Sequence, residues 1–188
     1  MVTQVGIDIG NSSIKVVGLR KQFLSKKRIL VFGIEYIPKE ITQDKKAELV
    51  RKALDKAGIS VQRVNISVSG PNVICRYIRL PVMHRYELAR ALELEWDNYI
   101  SLKIDEVIWD YILLDKFKDP TGHKYMQVLI VAVKKNFIEE RINLLKAAGL
   151  EAQLIDVDAL ALVNAFKINQ PSLDSQLTIL LNLGEYFT

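Results

Sequence analysis

Apolar residues recur with two different periods along this chain, and the switches between them predict its elements. Val5, Ile7 and Ile9 alternate with small or polar neighbours, the period of a half-buried strand. Similar runs cover about residues 2–9, 13–20, 28–36 and 62–68. Between the third and fourth the period lengthens. Ala47, Val50, Leu54 and Ala57 form a stripe predicting a helix from Asp44 to Ala57, with Gly58 suited to the position just past its end. The first stretch thus reads β-β-β-α-β. A new pattern starts at Arg79-Leu80-Pro81. Leu88, Leu92, Trp96 and Tyr99 then share one face of an amphipathic helix spanning His84 to Ile100. Two strands follow, about 106–115 and 124–134, joined by the turn Lys118-Asp119-Pro120-Thr121-Gly122. Asn136 is expected to cap a helix, with Glu139 three residues on, Ile138, Ile142 and Leu145 as its stripe and Gly149 at its end. A short strand at Gln153–Ile155 leads into a helix from Asp158 to Lys167. A polar linker, 169–176, precedes a last strand from Leu177 to Leu183.

The turn after the first strand changes the picture most. Gly6-Ile7-Asp8-Ile9-Gly10-Asn11-Ser12-Ser13-Ile14-Lys15 joins two strands through small hydroxyl and amide residues, with one aspartate and one lysine beside them. Successive turn amides form an anion-binding concavity. A carboxylate such as Asp8 can hold Mg²⁺ through water, because Mg²⁺ keeps several waters and takes few protein ligands. An ordinary hairpin of turn-forming residues has the same composition. On this motif alone the two readings stand level.

Composition excludes more than it selects. The chain has 188 residues, 49% apolar and 26% charged, a globular profile. No window approaches the roughly 20 apolar residues of a membrane span, and the start lacks a signal-peptide pattern. The cytoplasm is therefore expected. Net charge is +4, much of it in Arg20, Lys21, Lys26, Lys27 and Arg28, read as a solvated hairpin, with anionic lipid or an acidic partner as the weaker alternative. Basic residues are not interleaved with aromatics, so no nucleic-acid partner is expected. The single cysteine, Cys75, reads as a small buried thiol. His84 and His123 lack the spacing of a zinc site, and no Gly-x-Ser-x-Gly elbow exists. Trp96 and Trp109 read as core residues before interface anchors.

The order of motifs carries a resemblance. Asp8 to Lys15 resembles the first phosphate motif of the actin, heat-shock chaperone and sugar-kinase superfamily, and Leu181-Asn182-Leu183-Gly184-Glu185-Tyr186-Phe187-Thr188 looks like the second. Within that superfamily the chain is most similar to the PilM family of type IV pilus assembly. The residues that carry this likeness are Arg76-Tyr77-Ile78-Arg79-Leu80-Pro81, Glu93-Leu94-Glu95-Trp96, Asp105-Glu106-Val107 with Asp110-Tyr111, and Val131-Ala132-Val133-Lys134. Lys146-Ala147-Ala148-Gly149-Leu150 and Ile155-Asp156-Val157-Asp158-Ala159-Leu160-Ala161-Leu162 complete the series. FtsA, a cell-division relative, carries a small subdomain in the same place, but its signatures are not recognised here.

The resemblance implies an α/β fold. Residues 1–78 with 154–188 would form an actin-like (ribonuclease H-like) subdomain 1A, and 79–153 an inserted small α+β subdomain 1C. The second lobe, whose Gly-rich segments hold most of the nucleoside in the family, is missing, and the chain is expected to be an N-terminal fragment. Asp8 would support Mg²⁺-bound water while Gly10, Asn11, Ser12 and Ser13 surround the β- and γ-phosphates of ATP. Lys15 would neutralise phosphate charge or point outward. Asp158 resembles the acidic residue that opens the interlobe helix and faces the metal, or is a helix cap, or both. Asp156 is given a structural role. Asn182 stands where the second phosphate motif carries Asp, and with Gly184 it completes the nucleotide set. An amide lacks the charge that retains Mg²⁺ or orients a water, which bears on hydrolysis more than on binding.

The family likeness implies a nucleotide-binding scaffold, not an enzyme that turns over. ATP and Mg²⁺ would belong to the full-length protein, with none bound to this stretch alone. The implied partner is a PilN-like bitopic inner-membrane protein, whose short N-terminal tail would lie in a groove between 1A and 1C near Arg76, Ile78, Leu80, Leu88 and Leu92. The protein would be cytoplasmic, held at the inner membrane and the pilus assembly platform through that partner. The alternatives are an actin-fold ATPase or small-molecule kinase, an FtsA-like cell-division protein, and the cytoplasmic domain of a type II secretion platform protein.

Overall fold

The computed structural model describes residues 2–21, 28–170 and 177–184. The basic hairpin at Lys26 and Lys27, most of the linker after Asn169 and the tail from Glu185 to Thr188 lie outside them. The chain divides into two compact units. One runs to Gly70 and resumes at Glu140; the other spans Pro71–Glu139.

The larger unit is a five-stranded sheet. β1 (Val2–Ile9), β2 (Ser13–Lys21) and β3 (Arg28–Tyr36) form an antiparallel meander, and β4 (Arg63–Val68) and β8 (Glu151–Val157) add in parallel, giving the order β3-β2-β1-β4-β8. Strand alternation sends Val5, Ile7, Ile9, Ile14 and Val16 to one face. Helix α1 (Gln43–Lys56) meets that face with Ala47, Val50, Ala53 and Leu54, as its stripe predicts. Helix α4 (Lys135–Ala147) adds Leu144 and Leu145 to the same core. Thr42 caps α1, and Gly58 and Gly149 end α1 and α4 in the left-handed region that side chains avoid.

Two features fix α1 against β3. Gly33 lies so close that a Cβ there would come 2.1 Å from the Ala53 carbonyl oxygen. Glu35, only 6% exposed, is buried between the strand and the helix, where Lys56 and Lys52 (3.4 Å) pair with it. The hydrogen bond from Lys56 holds its carboxyl below the ordinary value of 4.5, against the upward push of burial, and Lys52 adds to the lowering.

The opposite face of the sheet is largely open. Phe32 and Tyr36 on β3 are 73% and 78% exposed, Val17 is exposed beside Phe32 on β2, and Leu154 is exposed on β8 at the other edge of the sheet. Helix α5 (Asp158–Asn169) approaches this sheet at β8 and β4.

The smaller unit is an antiparallel three-stranded sheet, β5 (Val73–Pro81), β7 (Lys124–Lys134) and β6 (Val107–Lys118), in the order β5-β7-β6. Met126, Val128, Ile130 and Ala132 on β7 pack with Leu88, Leu92 and Trp96. Trp96 is buried, donates from its indole N–H to the Leu102 carbonyl at 2.7 Å and sits 5.3 Å from the half-buried Trp109. Its core reading is therefore right. Asp119 organises the predicted turn, accepting from the Thr121 and His123 amides at 2.9 and 3.0 Å.

Several expectations need correction. The boundaries at 78/79 and 153/154 move to 70/71 and 139/140, because residues from Val73 onward pair with β7 and the Leu144–Leu145 end of α4 packs in the larger core. The single helix from His84 to Ile100 is broken: α2 (Arg85–Leu94) stops at Glu95, and a separate turn, α3 (Trp96–Tyr99), follows. Helix α4 starts at Lys135, one residue before the expected cap Asn136. Cys75 is exposed, since Ile74, Ile78 and Leu80 take the core face of β5 and alternation turns Cys75 to the other. Leu177–Leu183 forms no strand among the described residues; Leu177 and Ile179 are 97% and 82% exposed, and a strand exists only through its pairing partner.

Substituting Gly33→Ala is expected to cost about 2–3 kcal/mol, read as a lower midpoint in urea unfolding, because backbone must move to admit the methyl group. Gly6→Ala, whose Cβ would meet only Val17 at 3.5 Å, should unfold close to wild type. For Glu35 the sign is fixed by its lowered value: the stability it adds is present above about pH 4.5 and is lost as pH falls through the lower folded value. Glu35→Gln should therefore lower the unfolding midpoint at neutral pH and flatten the acid limb of a midpoint-versus-pH curve below 4.5.

Candidate functional site

Strand register places four polar side chains in one row across the open face of the larger sheet. Asp8 on β1 pairs with Lys15 on β2; Ser67 on β4 follows Ile66, the partner of Ile7; and Ser67 pairs with Asp156 on β8. Their apolar neighbours Ile7, Ile66 and Val16 point the other way, so core packing presents Lys15, Asp8, Ser67 and Asp156 together. Lys15 Nζ lies 3.2 Å from Asp8 Oδ2, and Ser67 Oγ donates to Asp8 Oδ1 at 3.5 Å. These residues rim a groove of about 400 Å³ whose apolar lining includes Val17, Phe32 and Leu154, with Ala161 of α5.

The turn above the row is pinned from within. The Gly10 amide donates to the Ser13 carbonyl at 3.0 Å, and the Ile37 amide donates to the Ser12 carbonyl at 2.8 Å. The Gly10 amide is thus spent on the hairpin. Among the described residues the amides of Asn11 and Ser12 have no hydrogen-bond partner, and open turn amides are the kind of donor that an anion can use.

Helix α5 brings Asp158 and Asn182 together: Asn182 Nδ2 donates to Asp158 Oδ2 at 3.2 Å. Asp158 is not the helix cap, a place taken by Val157; it is the first helical residue, and its Oδ1 accepts from the Ala159 amide at 2.6 Å. Asp156 spends one oxygen on the Val157 amide at 2.8 Å. Gly184 is exposed outside any element. Among the described residues no three carboxylate, histidine or cysteine groups converge closely enough to hold a metal directly. The Asp8 and Asp156 carboxylates and the Ser67 hydroxyl are oxygen groups of the kind that hold a hydrated Mg²⁺ through its waters, while the Lys15 ammonium 3.2 Å from Asp8 stands against such an ion.

Two cations have no signal in the local sequence pattern. Lys46 on α1 and Arg141 on α4 are half-buried. Burial lowers both from their ordinary values, Arg141 lowers Lys46 further, and Glu140 and then Asp8 pull Arg141 back up. Asp8 therefore lies within the electrostatic reach of Arg141 as well as Lys15. Ser67 is a further addition to the site, although the alternation of Val64, Ile66 and Val68 implies its outward direction.

The residues expected to line a partner groove fare differently. Leu80, Leu88 and Leu92 are buried in the core of the smaller unit, 8%, 3% and 0% exposed, so they cannot offer their side chains to a peptide. Ile78 packs partly against the same core, and Arg76 is exposed.

Comparison with known proteins supplies the context. A family model described as type IV pilus assembly protein PilM matches residues 6–179. Among solved structures, a chain of a PilM-PilN type IV pilus biogenesis complex superposes with a TM-score of 0.74 at 21% identity, covering 91% of this chain and 52% of that one. The cytoplasmic domain of EpsL, an inner-membrane component of the type II secretion system of Vibrio cholerae, gives 0.51 at 16% identity, covering 84% and 58%. At these identities the two structures establish the fold, a mixed α/β fold shared with PilM. The chain spans about half the length of the chain it matches in that complex.

Proposed function

Because the chain belongs to the type IV pilus assembly protein PilM family, we propose that it is the larger part of one lobe of an actin-like scaffold at the pilus inner-membrane platform. Its partner is the N-terminal tail of a PilN-like bitopic membrane protein, and the two-lobed full-length protein holds ATP and Mg²⁺. The observation that carries this reading is the family match over residues 6–179. The likeness to a chain from a PilM-PilN complex supports it. No helix among the described residues is long and apolar enough to cross a membrane.

In this reading Asp8 orients a water of the hydrated cation, the amides of Asn11 and Ser12 face the phosphates, and the paired Asp158 and Asn182 close the far side. Nucleotide sets the geometry of the lobes and is not consumed at a useful rate. The partner tail meets the exposed side chains of the smaller unit, Arg76 foremost, while Leu80, Leu88 and Leu92 support them from the core. The alternative, a type II secretion platform domain, rests on fold likeness alone. A membrane span further along the encoding gene would favour it.

Two measurements test the proposal. The chain should show chemical-shift changes in an NMR titration with the N-terminal peptide of the PilN-like protein, and Arg76→Glu should weaken that binding about tenfold without unfolding the smaller unit. Folded chain with no shifts would overturn the partner assignment. With only part of the nucleotide surface present, the chain alone should bind Mg-ATP weakly or not at all by calorimetry; a low-micromolar dissociation constant would contradict the two-lobe requirement.

A further inference from the structure

Asp8 is held from both sides by its own sheet. Lys15, its cross-strand partner, occupies Oδ2, and Ser67 on the neighbouring strand donates to Oδ1. The two interactions differ in kind. Ser67 is a short side chain on the rigid ladder of β4, part-buried at its contact with Asp8. The Lys15 and Asp8 side chains are 58% and 46% exposed, and the ammonium rides on a flexible four-carbon stem. An ion pair this exposed is weak, screened and easily exchanged.

We propose that Lys15 is a displaceable counter-cation: its ammonium neutralises Asp8 when no divalent ion is present and leaves Oδ2 when a hydrated divalent ion arrives. Ser67 is a positioning residue that keeps the carboxylate aimed throughout. A divalent ion at the carboxylate and the ammonium 3.2 Å from Oδ2 are like charges in close proximity, and their repulsion drives the ammonium out. Release of Lys15 needs only side-chain rotation, with no change in the hairpin. The freed ammonium then lies two residues from Ser13, beside the anion that accompanies the metal. Arg141 on α4 adds a second positive charge on which Asp8 acts at a distance. The inference rests on the nucleotide reading proposed for this site and adds an exchange step to it.

The test is a Mn²⁺ titration of the full-length, ADP-loaded protein followed by electron paramagnetic resonance, which counts free Mn²⁺ and requires no turnover. Lys15→Met should bind Mn²⁺ about tenfold more tightly, since a competing and repelling charge is gone. Lys15→Arg, which keeps the charge, should bind like wild type, and Ser67→Ala should bind a few-fold more weakly. If Asp8→Asn weakens Mn²⁺ binding while Lys15→Met leaves it unchanged or weaker, the exchange is wrong and the Asp8 site stands. If Asp8→Asn also leaves binding unchanged, the metal is elsewhere and both readings fall.

Discussion

The packing of α1 across one face of the five-stranded sheet is the constraint on which the rest of the larger unit depends. Val5, Ile7, Ile9, Ile14 and Val16 turn towards it, each contributing about 1.5–3 kcal/mol by leaving water. Once they are committed, the period of two leaves Asp8, Lys15 and Ser67 no choice of face. A slip of one residue in any of these strands would bury the charges and expose the aliphatics. The polar row is thus a by-product of core packing, and its order across the sheet follows from topology. Gly33 sets how near the helix can come to β3.

Much of this is legible in the sequence, and the reason is locality. The first hairpin, the stripe of α1 and the glycines that end α1 and α4 are each determined within a few residues of themselves. The ordered series of motifs from Arg76 to Leu162 is equally readable as a family likeness. The features that escape the sequence depend on distant partners. β5 lacks clean alternation through Arg76, Tyr77 and Arg79, and it is a strand because β7 pairs with it. The break at Glu95 is invisible because Trp96 and Tyr99 keep the helical period across it. Leu177–Leu183 has a strand's pattern and no strand to pair with among the described residues.

The site divides along the same line. Asp8, Lys15 and the turn are neighbours in sequence and are readable there. Asp158 and Asn182 are assigned through the family likeness, and the fold brings them into hydrogen-bond contact. Ser67 reaches Asp8 through a parallel strand pairing, Arg141 acts on it only at a distance from a helix far along the chain, and no local spacing announces either. Leu80, Leu88 and Leu92 show the opposite error. An apolar stripe beside an expected groove reads as a binding face, although the small unit needs that stripe to fold at all.

Glu35 has a consequence for descent. Its carboxylate is buried with Lys52 and Lys56 one helical turn apart on α1, so the three positions are linked. A lineage that loses the acid leaves two lysines whose side chains, 61% and 55% exposed, can turn to water, whereas one that loses both lysines leaves a buried charge without a counter-ion. The dependence is one-sided: the buried acid needs at least one of the lysines, and neither exposed lysine needs the acid. Across relatives, a glutamate in this alignment column should be accompanied by at least one of the lysines, and where an apolar residue replaces the glutamate, the lysines are released to vary freely.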